Sequence, residues 1–244
     1  MLTFTKTIKY NKMATKYMQA NYSTGNLFEY SKEEKEGFSE HKNAKGEVKG
    51  YRKYYDEGVT GELLRVEERT NQYLNDTKEL VVTIKSGDDY ININFTTYNV
   101  KDTFSTFAED VIKALPDLTL GKTYTVRPYN FVGEKGNKIV GVSFKSGKEK
   151  AKKLQQKYAK KDGSITEGVI PPVTWSEKRG KMVPDEEAKT DYLYDVYIKQ
   201  LERLGGESNT QSGDKSSPSE APEKKTAPKK VQEPVLEEDD DLPF

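Results

Sequence analysis

Two short runs in the middle of the chain dictate most of what it can become. Residues 79–85 set Leu80, Val82 and Ile84 on one side, residues 90–97 set Ile91, Ile93 and Phe95 on one side, and Ser86-Gly87-Asp88-Asp89 lies between them. Apolar alternation is the period of a half-buried β-strand, and a Gly-Asp turn between two such runs closes an antiparallel hairpin. A lone hairpin is marginal in water, so more strands must lie beside it. Residues 60–70 supply one, with Leu64 and Val66 read as its inward side. The period then changes: Phe104, Phe107, Ala108, Val111, Ile112 and Leu115 recur at three- and four-residue steps, the stripe of one amphipathic helix. Asp102 or Thr103 is its expected N-cap and Pro116 its stop. Residues 123–131 and 139–145 return to alternation around a Gly-rich turn at 133–136, with Val140, Val142 and Phe144 on one side of the last strand.

Composition narrows the class. Of 244 residues, 33% are hydrophobic and 33% charged, so the core is small relative to the chain and extended or disordered parts are expected beside it. Cys 0 and His 1 exclude a disulfide framework, a thiolate zinc site and a His-based catalytic pair. No cofactor, metal or enzymatic activity is expected. No apolar run approaches the roughly 20 residues of a membrane span, and residues 1–10 lack a signal-peptide core. A cytoplasmic chain with no membrane partner is expected.

The order of three strands, one helix and two strands, over residues 59–145, resembles the OB-fold. Small SH3-like barrels also use five strands, but a helix between the third and fourth favours the OB arrangement. The resemblance implies a five-stranded barrel that binds oligonucleotides across its second and third strands and their flanking loops. The expected fold is therefore mainly β with accessory helices. Residues 1–58 form an extension on or beside the barrel, 59–145 the OB core, 146–204 a basic helix, short hairpin and C-terminal helix, and 205–244 a disordered linker and acidic tail.

On the outward sides, Tyr90, Asn92 and Asn94 oppose the apolar row of the third strand, and Lys85 that of the second. Tyr124 and Val126 take the inner side of the fourth strand, leaving Arg127, Tyr129 and Phe131 outward. Two rings and a guanidinium on a solvated face are the chemistry of single-strand binding, because rings stack on any base while cations neutralise phosphate. The other outcome is that the chain's own extensions cover Tyr129 and Phe131. Lys135, Lys138 and Lys145 are placed to hold phosphate. In the N-terminal part, residues 3–10 alternate as a strand would, and 39–50 read as a loop. Tyr51-Arg52-Lys53-Tyr54-Tyr55 reads either as a stacking platform with a phosphate clamp or as an edge strand packing Tyr51 and Tyr55. Gly121-Lys122-Thr123 is no P-loop, since Pro116 stands where the loop needs glycine and a strand follows. Residues 145–161 hold eight Lys and one Glu and read as a basic helix. Residues 171–183 read as a hairpin turning at Gly180, with Trp175 capping a small core or presented outward. Residues 185–204 read as a helix with Leu193, Val196, Tyr197, Leu201 and Leu204 on one side and Tyr192, Tyr194 and Ile198 on a second.

Net charge is +0, but residues 205–244 carry five bases against ten acids, which leaves 35 bases and 30 acids on residues 1–204. Asp239-Asp240-Asp241-Leu242-Pro243-Phe244 resembles the tip of bacterial and phage single-stranded DNA-binding proteins, whose tails end in a near-identical Asp-Asp-Asp-Ile-Pro-Phe. Leu242 stands where those tails carry Ile. An acidic solubilising tail with an incidental Phe244 is the plainer alternative. The resemblance implies a non-enzymatic protein that coats single-stranded DNA in replication, recombination or repair, in the bacterial host cytoplasm if phage-encoded. These six residues would then recruit a polymerase, helicase or primase. Two other functions fit the same residues: an RNA-binding OB module, and a replisome scaffold or polymerase accessory factor.

Overall fold

The computed structural model describes residues 15–72, 75–100, 102–158, 166–178 and 181–205. Ten strands share one sheet: β1 (Thr15–Asn21), β2 (Asn26–Ser31), β3 (Ser39–Lys42), β4 (Val48–Tyr55), β5 (Val59–Asn71), β6 (Thr77–Ser86), β7 (Asp89–Thr96), β8 (Thr123–Val132), β9 (Lys138–Ser146) and β10 (Glu149–Lys150). Their order is β10-β9-β8-β5-β6-β7-β1-β2-β4-β3. Only the β1–β7 pairing among these is parallel. A separate hairpin joins β11 (Thr174–Lys178) to β12 (Lys181–Asp185), and the helices are α1 (Thr106–Ala114) and α2 (Glu187–Leu204).

The mainly β class holds, and β5, β6, β7, α1, β8 and β9 follow in the expected order. The five-stranded closed barrel does not form. Closure within those five strands needs a partner for the open edge of β7 among them; that edge is taken by β1, and the far edge of β9 by β10. The N-terminal part is therefore no extension beside a barrel but four further strands of the sheet. Residues 39–50, read as a loop, carry β3 and the start of β4. Residues 3–10 and 206–244, with the strand, linker and tail expected there, lie outside the described residues.

Local chemistry accounts for the elements. Gly87, at φ +60, makes the tight turn that lets Ser86 face Asp89. A bulge in β5 between Leu63 and Arg65 shifts the alternation, so Leu63 and Val66 are buried and Leu64 only half so. Ser105, not Asp102 or Thr103, caps α1: its hydroxyl accepts the Ala108 N–H at 3.3 Å. Phe104 lies just before the helix, stacked on Tyr98 at 5.4 Å between ring centroids. Residues 151–158 are not helical. Lysines four apart, Lys148 with Lys152 and Lys153 with Lys157, repel along a helix, and the backbone donors serve neighbours instead. Leu154 N–H donates to Lys113 O at 2.8 Å and Lys157 N–H to Ile170 O at 3.0 Å.

One side of the sheet packs Met18, Leu27, Leu63, Val82, Ile93 and Phe144 against Phe107, Val111 and Ile112 of α1 and Leu193 and Tyr197 of α2. Burial and the neighbouring Glu68 carboxylate push the Tyr197 phenol well up; its hydroxyl donates to Glu68 Oε2 at 2.8 Å. Arg203 donates to Leu115 O and Leu118 O at 2.6 and 2.9 Å, tying α2 to the short 3-10 turn that follows α1. The sheet also curls. Asn130 Nδ2 on β8 donates to Tyr22 O and Ser23 O at 2.6 and 2.9 Å, although β5, β6 and β7 separate β8 from β1 in the ladder. Gly25 completes this return contact, its φ of +73 and missing Cβ letting it rest on the Tyr129–Asn130 backbone. All described residues fall in one compact unit, Met1–Gly206.

Candidate nucleic-acid interface

The side of the sheet turned away from this core can be followed strand by strand through its register. Lys85 on β6 faces Tyr90 on β7, and Thr83 faces Asn92. Across the parallel pairing Tyr17 of β1 lies beside Asn92. Gln19 then faces Phe28 of β2, Phe28 faces Tyr54 of β4, and Tyr30 faces Arg52. Because alternate residues share a side, Lys85, Tyr90, Tyr17, Phe28, Tyr30, Arg52 and Tyr54 form one outward row over five strands.

Three rings of that row are open to solvent: Tyr17 at 58%, Tyr30 at 44% and Tyr54 at 43% exposure. Phe28 is buried beneath them. The Arg52 guanidinium lies 4.5 Å over the Phe28 ring, and Tyr54 packs 6.2 Å from it at a tilt of 48°. Such cation–π stacking leaves the charge in place while freezing the arginine. Arg52 Nε is buried with no hydrogen-bond partner. Tyr30 is fixed from the far end, its hydroxyl donating to Lys49 O at 2.6 Å, and Gly50 leaves room for the ring.

The expected residues divide. Lys85, Tyr90, Arg52 and Tyr54 belong to the row. Tyr51 and Lys53 do not, since they alternate to the opposite side, where Lys53 lies over the Tyr55 ring at 5.6 Å. Burial, with the Glu29 carboxylate beside it, pushes the Tyr55 phenol up to about 12. Asn92, expected at the solvent face, is buried at 3%, and its Oδ1 accepts the Thr83 hydroxyl at 2.8 Å. Asn94 donates to the buried Glu79 carboxylate at 2.7 Å. Both amides are spent on the fold because the outward side of β6 and β7 is itself covered by long side chains of β5, among them Arg65, which reaches Thr83.

Arg127, Tyr129 and Phe131 do alternate outward on β8, but each has a different setting. Arg127 pairs with Glu57 at 3.3 Å. Tyr129 is half covered by the chain's own later segment: Lys153 Nζ donates to its hydroxyl at 3.2 Å and to Asp110 Oδ2 at 2.5 Å. Asp110 also accepts the Val142 N–H at 2.6 Å, closing the edge of β9, and a Cβ on Gly141 would strike both Asp110 and the Tyr129 hydroxyl. Phe131 is 52% exposed, its ring tilted against that of Tyr129 at 5.9 Å and beside the exposed Val132. Lys135 and Lys145 are exposed, and Lys138 lies 4.9 Å over the Tyr22 ring. Asp239, Asp240, Asp241, Leu242, Pro243 and Phe244 lie outside the described residues.

Tyr17, Phe28 and Tyr30 escape a reading of the sequence. The alternation of Met18 and Ala20 against Tyr17 and Gln19 is the available signal, obscured because Phe28 is buried on the outward side. No protein-family model, no curated protein and no solved structure matches this chain.

Proposed function

We propose that the chain binds single-stranded DNA along the outward row from β6 to β4, by stacking bases on Tyr17, Tyr30 and Tyr54 and holding phosphate with Arg52 and Lys85. The observation that carries this reading is the set of three solvent-open tyrosines ranged on neighbouring strands around a stacked arginine. Large rings left partly in water on a sheet face keep one side open to a ligand, and base stacking is worth about 1–3 kcal/mol each without regard to sequence. Lys85 and Tyr90 lie on β6 and β7, the second and third strands of the strand–helix–strand order read as OB-like, although no closed barrel forms from it. Phe131, Lys135 and Lys138 are proposed as a flank of the path. The acidic run ending in Leu242, Pro243 and Phe244 is proposed to recruit replication or recombination proteins.

The test is fluorescence anisotropy of labelled oligo-dT and of a duplex of equal length across a salt series. Preference for the single strand, with affinity falling as salt rises, is expected. Equal affinity for duplex, or no salt response, overturns the reading. A competing RNA strand of the same sequence measures the sugar preference directly.

A further inference from the structure

The outward row does not end at Lys85. Glu62 on β5 faces Lys85, and Thr123 on β8 faces Glu62. Two residues along β8, on the same side, Thr125 faces Lys145 of β9, and Lys145 faces Lys150 of β10. The Thr60 and Thr125 hydroxyls, 2.7 Å apart, join β5 to β8 on this side. The row thus reaches the last strand of the sheet and ends there on lysine.

That end is a tight hairpin, Ser146-Gly147-Lys148-Glu149, in which Ser146 faces Glu149 and Gly147 turns the chain at φ +62. Lys145, Lys148 and Lys150 are all exposed. Lys145 and Lys150 lie directly opposite one another in the ladder, where like charges destabilise a sheet. Glu149 gives no relief there, because it alternates to the other side. Among the described residues none of the three lysines forms an ion pair. The hairpin is short, and the pair it carries weakens it.

We infer that the β9–β10 hairpin is a second phosphate contact for single-stranded DNA, with Lys145 and Lys150 holding the backbone beyond the tyrosines and Lys148 beside them at the turn. The inference rests on the single-strand reading above and extends it along the same side of the sheet. A phosphate set between two facing ammonium groups turns their repulsion into a shared attraction. β5 and β8 separate β6 from β9, and at about 4.8 Å for each spacing the lysines lie about 15 Å along the sheet from Lys85. That exceeds the Debye length of about 10 Å at 0.1 M salt, so they act on a different phosphate from the one Lys85 holds. The Glu62 carboxylate lies between and parts the path into two contacts.

The full chain and the double variant Lys145→Gln with Lys150→Gln are titrated by anisotropy with labelled oligo-dT of about 6 and about 16 nucleotides, near the two ends of the site sizes that single-strand-binding folds take. With the longer strand, the variant is expected to flatten the slope of log affinity against log salt by about 0.7 for each phosphate no longer neutralised. With the shorter strand, seated on the tyrosines, its slope should match the wild type. Lys199→Gln, which removes an exposed charge from α2, should alter neither slope. Thermal melts of the double variant should lie at or above those of the wild type, because a repulsion is gone. An unchanged slope with the longer strand overturns the second contact and leaves the stacking row standing. An equal loss with both strands places the lysines within the tyrosine site and overturns it too, as does a loss matched by Lys199→Gln, which belongs to net charge. A double variant that melts lower shows lysines bracing the hairpin and overturns the proposal. Wild-type binding that ignores salt overturns both readings.

Discussion

Tyr17 and Asn92 are neighbours across the β1–β7 ladder, on the same side, and their surroundings give them opposite duties. Asn92 is sealed, and its carbonyl oxygen is the acceptor for Thr83. Asn92→Ala leaves the proton of that hydroxyl without its acceptor in a buried site, and a loss of about 1–3 kcal/mol in stability is expected from urea unfolding. Oligo-dT affinity of the folded protein should be unchanged. Tyr17 is open, so Tyr17→Ala should leave the unfolding midpoint where it is and cut oligo-dT affinity about fivefold or more, as anisotropy will report. Arg52→Lys separates charge from shape: an ammonium keeps the phosphate attraction but cannot lie flat on Phe28, so binding should fall while its salt dependence stays.

At the scale of elements, α1 is anchored by an ion pair network with a definite pH response. Burial alone would raise the Glu109 carboxyl, but Lys113 at 2.5 Å and Lys189 at 2.8 Å outweigh it and hold the group below its ordinary value of 4.5. A depressed folded pKa contributes stability that is fully present above 4.5 and disappears as pH falls through the lower folded value. Thermal melts of the wild type and Glu109→Gln should therefore differ most near neutrality and converge in acid. The curl of the sheet has its own test in Gly25. Gly25→Ala forces a left-handed backbone on a residue with a Cβ and drives that carbon into β8, so a loss exceeding about 1–2 kcal/mol is expected in urea unfolding. How far the sequence discloses these elements follows from what each depends on. β6, β7, α1, β8 and β9 are legible because period alone sets them. The bulge at Leu63–Arg65 breaks period, and the pairing of β1 with β7 is a contact between distant residues that no local pattern encodes. The site divides for the same reason. Lys85 and Tyr90 lie on strands with clear alternation, whereas in Tyr51-Arg52-Lys53-Tyr54-Tyr55 rings and charges fall on both sides, so the sequence names Arg52 and Tyr54 together with Tyr51 and Lys53 and only the register separates them; the burial of Asn92 depends on a side chain reaching across from β5.

At the scale of the whole molecule, charge separates along the chain. Residues 1–204 hold 35 bases and 30 acids, and residues 205–244 hold five and ten. Six of those acids fall within residues 233–241. Such a run is a polyanion on the same chain as a body that, on the reading proposed above, binds polyanions, and on that reading the two would compete for the same cations. Tethering gives the competitor a high effective concentration, which makes the competition intramolecular and independent of protein concentration. Its strength is set by screening, because a Debye length of about 10 Å at 0.1 M salt shrinks to about 3 Å at 1 M. Removal of residues 233–244 should therefore tighten oligo-dT binding severalfold at low salt, and the gain should vanish as salt rises. Anisotropy of the full and shortened chains across one salt series measures this directly. Replacing Phe244 by Ala within the full chain should leave that series unchanged, because the competition is one of charge and the ring carries none. Equal affinities for the full and shortened chains at low salt would mean that the acids never reach the basic face.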